Sequence, residues 1–246
     1  MPLAGNSPIA GRSAEVFTIR ERHSASTEWK GNMTEARDQG FPEFYARAPV
    51  ITLRDPLAQF LGAAKDGLIQ YSYTDVVRLS GHSCPTVAGA YLMALHGLRA
   101  LYGDETPVRG DVEVFMHGAP GSGVTGVISS VVQLVTGAAG ETGFPGAGSL
   151  GLFARKNLLA FGADVDGVLG MRRRDTGKAV TVHHDSAIVP WPEEMRPLVA
   201  KAFSEQANST ELERFGQLWQ ERVRRMLVDH ADNPALVWVS DWHPAR

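Results

Sequence analysis

The sequence predicts an α+β fold: a mixed or antiparallel sheet packed with helices, closed by a helical C-terminal appendage. Three observations carry this. Some segments alternate apolar and polar residues at the two-residue spacing of strands, and others place apolar residues three and four apart, the spacing of helices. Two strand-like runs, 168–174 and 178–183, flank an Asp175-Thr-Gly177 turn, which makes them an antiparallel hairpin. The last strongly periodic segments, 191–203 and 210–230, are both helical in spacing and lie together near the end of the chain.

Taken in order, residues 1–14 are rich in Pro, Gly and Ser and read as a flexible arm. Around Phe44 and Tyr45 a short helix is expected. Asp55 followed by Pro56 is a helix start, with a capping side chain and a proline at the first helical position, so a helix is expected over 55–64. β-branched and aromatic residues dominate 68–79, which reads as one strand. A helix follows over 85–102, with Val87, Tyr91, Leu95 and Leu98 on one face. Val112, Val114 and Met116 alternate as in a strand. An apolar helix is expected over 124–135, and then a glycine-rich stretch, 137–151, that has to be loop. Thr210 and Glu213 form a capping-box pattern ahead of a helix whose stripe is Leu212, Phe215, Trp219, Val223 and Met226. A final strand is expected over 235–239. Residues 15–190 thus form the expected core, and 191–246 an extension packed on it.

The chain carries 24 basic and 27 acidic residues, a formal charge of -3, without the basic excess of nucleic-acid or membrane-surface proteins. Neither a signal-peptide core nor a run long enough for a membrane helix is present, so a cytoplasmic location is the expectation. Cys84 is the only cysteine, which rules out an intramolecular disulfide.

The segment richest in chemistry is Gly81-His82-Ser83-Cys84-Pro85-Thr86, where the chain turns on glycine and a helix opens on proline. Unpaired amides and the positive end of the dipole gather at a helix start. Such a setting favours a thiolate, the form that binds metals and attacks electrophiles. The plain alternative is a small buried thiol. His117 is expected at a strand end, as are His183, His184 and Asp185 at another. Strand neighbours face opposite ways, so only one of His183 and His184 can enter a shared site, and His183 is the expected ligand. His82, Cys84, His117 and His183 together are the candidate ligand set for a divalent metal, zinc above all, since zinc accepts thiolate and imidazole at once. Three ligands plus water would make a catalytic site, with Glu113 or Asp185 as base. Two alternatives stand beside this one: a thiol enzyme with Cys84 as nucleophile and His82 or His117 as base, and a haem protein ligated by Cys or His. A G-x-G-x-x-G run, Gly121 to Gly126, follows a strand and opens a helix as a dinucleotide site does. The sequence offers no second strand ending in an acidic residue directly after that helix.

Gly-His-Ser-Cys-Pro at 81–85 resembles the Gly-His-x-Cys-Pro motif of the FmdE-like family, which takes its name from a component of formylmethanofuran dehydrogenase. In the same order, Leu134-Val-Thr-Gly137, Arg155-Lys-Asn-Leu158 and Asp175-Thr-Gly-Lys-Ala-Val180 resemble further segments of that family, and the likeness spans about 70–185. The resemblance implies an α+β fold, a homodimer, and a metal near the His-x-Cys motif, hence at His82 and Cys84. It also implies a carrier, sensor or accessory protein of redox metabolism, with a metal or small molecule as ligand. Members often carry a second cysteine near 117–123, where this chain has His117. Many end in a cysteine-paired zinc ribbon, where this chain has a tryptophan-containing helix.

Overall fold

A computed structural model describes residues 40–243; the arm expected over 1–14 lies outside them. The fold is α+β. Its main sheet has five strands in the order β4-β3-β5-β6-β7: β3 Val112–Met116, β4 Leu159–Phe161, β5 Leu169–Arg173, β6 Ala179–His184 and β7 Val237–Asp241. All neighbours are antiparallel except β3 and β4. A separate antiparallel ribbon pairs β1 Ile51–Arg54 with β2 Leu68–Tyr71. The short β1 and β4 have no counterpart among the expected elements.

At the centre lies α3, Pro85–Tyr102, buried nearly all round. A helix apolar on every side belongs inside a core, and this one packs between the sheet and α4, Thr125–Thr136. Gly97 lets the sheet approach: a Cβ there would stand 3.2 Å from Val182 Cγ2. Met171 and Val182 therefore face α3, as does His184 opposite Gly89. The intervening residues Gly170, Thr181 and His183 face the other way, where Trp242 covers Gly170.

The strand expected over 68–79 ends at Tyr71. From Tyr73 to Ser80 the chain is helix α2. Asp75 Oδ2 accepts from both the amide and the hydroxyl of Ser72, at 2.9 and 2.8 Å, and so anchors the helix start. Tyr73, Val76 and Val77, at i, i+3 and i+4, are the buried face that β-branched composition disguised. The helix expected from Asp55 is α1, Pro56–Phe60, with Asp55 Oδ1 accepting from Leu57 and Ala58 amides. The stretch 137–151 contains no helix or strand, only a bridge from Ala147 to Leu152.

Past residue 190 come α5, Met195–Phe203, and α6, Ser209–Arg224, opened by an Asn208–Glu211 capping box and continued as a π-turn over Arg225–Asp229. Val223, Met226, Leu227 and Leu236 belong to the main core, and β7 is an edge strand of the main sheet. The C-terminal segment is thus woven into the core rather than only laid on it. Among the described residues, no helix is long and apolar enough to cross a membrane.

Candidate functional site

The turn between α2 and α3 holds the His-x-Cys motif. Gly81 ends α2 in the left-handed region at φ 72°, a conformation cheap only for glycine, and its amide donates to Val77 O. Cys84 is extended and caps α3; its Sγ accepts from the Val87 amide at 3.5 Å, with Pro85 at the first helical position. The positive end of an 18-residue helix is thereby directed at the sulfur.

Between His82 and Cys84, Ser83 is locked on both sides. Its hydroxyl pairs with Tyr73 Oη at 2.9 Å, and its carbonyl accepts from Trp219 Nε1 at 3.1 Å and Gln220 Nε2 at 3.2 Å. Gln220 Oε1 in turn accepts from Tyr45 Oη. Burial pushes the Tyr73 hydroxyl far above the ordinary phenol range, against the opposing Ser83 hydrogen bond, so it remains a neutral partner. Helix α6 therefore clamps the motif loop in place. His82 is exposed, and its Nδ1 lies 2.9 Å from Ser80 O. A carbonyl only accepts, so Nδ1 carries the proton and the Nε2 lone pair is left for another partner.

The other expected ligands lie elsewhere. His117 follows β3, is exposed, and donates from Nδ1 to Val165 O at 3.0 Å. His183 stacks on Trp238, with ring centroids 4.8 Å apart, and its Nε2 is 3.1 Å from Ser240 Oγ. It sits on the sheet face turned away from α3. Its neighbour His184 is the one that faces the helix begun by Cys84: a Cβ on Gly89 would stand 2.6 Å from its ring. His184 Nε2 is buried without a partner. Burial, aided by Arg222 and opposed by Asp185, holds that imidazole below its ordinary pKa and hence neutral.

Among the described residues, no three His, Cys, Asp or Glu side chains form a group that could hold a metal ion. The donor types of His82, Cys84, His117 and His183 suit zinc, but one chain does not bring three of the four together. The four-ligand closure of a structural zinc site is not met within it.

A second polar constellation escaped sequence reasoning. Arg109 Nη1 and Arg155 Nη2 donate to the two oxygens of Asp55 at 3.0 and 2.7 Å. Arg109 also caps the end of α4 through Leu134 O and Val135 O, and Arg155 Nη1 donates to Arg109 O. Burial alone would raise the Asp55 pKa, but the hydrogen bonds from Arg109 and the Ala58 amide and the two guanidinium charges hold it below the usual range. Gly110 and Gly137 make room for these arginines: a Cβ on Gly110 would overlap Arg155, and one on Gly137 would meet Arg109 at 3.2 Å. A cavity of about 540 Å³ lies over the pair. The partners are 54 and 100 residues apart, so no local pattern announces them.

The Gly121–Gly126 turn does open α4, and the parallel strand β4 does follow, after the glycine-rich loop. The α4 start has no side-chain cap. No protein-family model matches the chain, and no curated protein does.

Proposed function

We propose that this chain is a metal-binding protein of FmdE type in which Cys84 and His82 are its own ligands to a divalent ion, zinc first among candidates. The remaining positions are then filled from outside the chain, by a second copy, by solvent or by a small-molecule ligand. The single observation that carries the reading is the His82 ring. Its Nδ1–H is tied to Ser80 O, which leaves Nε2 as the free donor two residues ahead of a helix-capping thiol. That hydrogen bond is the outer-shell arrangement metal-ligating imidazoles use to fix their tautomer. The chain's own part is to hold the two donors still: Trp219, Gln220 and Tyr73 fix Ser83 between them. The ordered series of FmdE-like segments supports the same reading.

Elemental analysis with light scattering tests it. Purified protein should carry near-stoichiometric metal that falls in both Cys84→Ser and His82→Ala, with a dimeric mass. Equal metal content in all three proteins would sink the assignment. A second reading, Cys84 as a thiol nucleophile, is favoured by the Val87 amide donated to Sγ. It predicts rapid iodoacetamide alkylation that added zinc does not slow.

A further inference from the structure

We infer that the cavity over the Arg109–Asp55–Arg155 network binds a small organic carboxylate, a monoanion with an apolar body. Charge comes first. Among the described residues two guanidiniums share one carboxylate, so the network they form carries one positive charge in excess. The carbonyl end of α4 offsets only about half a charge. Arg155 is 8% exposed, and a cation that buried calls for a full counter-ion. Among the described residues, Asp75, whose field reaches the neighbouring Tyr71, is engaged with Arg78.

Hydrogen bonding points the same way. The two guanidiniums carry about ten N–H groups. Among the described residues five have protein acceptors: Asp55 takes two, Leu134 and Val135 one each, and Arg109 O the fifth. The planar forks match a carboxylate. The arginines are held in place by the backbone around them: a Cβ on Gly110 would overlap Arg155, and one on Gly137 would crowd Arg109 at 3.2 Å.

The walls define the rest of the ligand. Both arginines line the cavity together with Ser130, Gln133 and Thr142, while Leu134 and Phe144 supply apolar surface. About 540 Å³ is a small-molecule volume rather than an ion's. One excess charge matches a carboxylate, whereas a phosphate dianion would exceed it. Nothing in this site depends on Cys84 or on a metal.

The test is calorimetric titration of the full chain with sodium hexanoate, hexan-1-ol and inorganic phosphate. Saturable heat is expected with hexanoate alone, unchanged in Cys84→Ser. Gln133 is on the exposed rim, so Gln133→Glu leaves the core untouched and should weaken hexanoate about fivefold, and Gln133→Lys should strengthen it. No saturable heat with hexanoate, or affinity indifferent to both substitutions, would overturn the site. Phosphate displacing hexanoate at equal concentration would overturn the assignment to carboxylates.

Discussion

Replacing Asp55 by Asn separates charge from shape. The amide oxygen can still cap α1 through Leu57 and Ala58, so the helix start survives. What disappears is the counter-ion of two arginines whose side chains are 20% and 10% exposed, around a carboxylate at 5%. Leaving buried charge uncompensated costs about 3 kcal/mol, the lower end for broken buried pairs, since Arg109 keeps some solvent. With a urea slope of about 3 kcal/mol per molar for a chain this size, the unfolding midpoint should fall by about 1 M. The pH dependence supplies a second readout. The Asp55 pKa is lower folded than unfolded, so its contribution is present above the unfolded value, near 4, and is lost as pH falls through the folded one. Wild type should therefore lose stability below about pH 4 more steeply than Asp55→Asn. A midpoint shift under about 0.3 M, with parallel acid limbs, would refute the counter-ion account.

Three further perturbations test other joints of the structure. Trp219→Phe removes one of two donors to Ser83 O; a loss of about 1 kcal/mol in urea unfolding and faster alkylation of Cys84 are expected. His184→Gln removes an imidazole whose folded pKa is depressed. Wild type binds more protons unfolded than folded just below pH 6.5, so its melting temperature should fall between pH 7.5 and 5.5, and the variant's should fall less. Gly110→Ala combines φ 85° with overlap on Arg155 and should cost about 2 kcal/mol or more. Gly177→Ala, at φ 75° with open space around it, should cost about 1 kcal/mol, so equal urea midpoints for the two would remove the overlap argument.

Local signals were legible where local physics decides the structure. Pro85 after a capping residue, the stripe through Val87 and Tyr91, and the turn at Asp175 to Gly177 each mark an element that the fold contains. The segment 68–79 misleads because Val76 and Val77 are strand-favouring residues, while the deciding interaction is the Ser72–Asp75 cap. Alternation along β6 makes clear that His183 and His184 part company, yet which one meets α3 depends on the position of Gly89 across the interface. Asp55 is legible as the cap of α1, but its pairing with Arg109 and Arg155 carries no pattern, because that pairing is created by the fold. The clamp of Trp219 and Gln220 on Ser83 is equally long-range, spanning 136 and 137 residues.

Joint metal binding by Cys84 and His82 is tested most directly by X-ray absorption at the edge of the metal bound to purified protein. The expected result is one sulfur at about 2.3 Å and nitrogen or oxygen donors at about 2.0–2.1 Å. The sulfur shell should vanish in Cys84→Ser, and nitrogen scattering should weaken in His82→Ala. A bound metal with no sulfur shell in the wild type would contradict joint ligation.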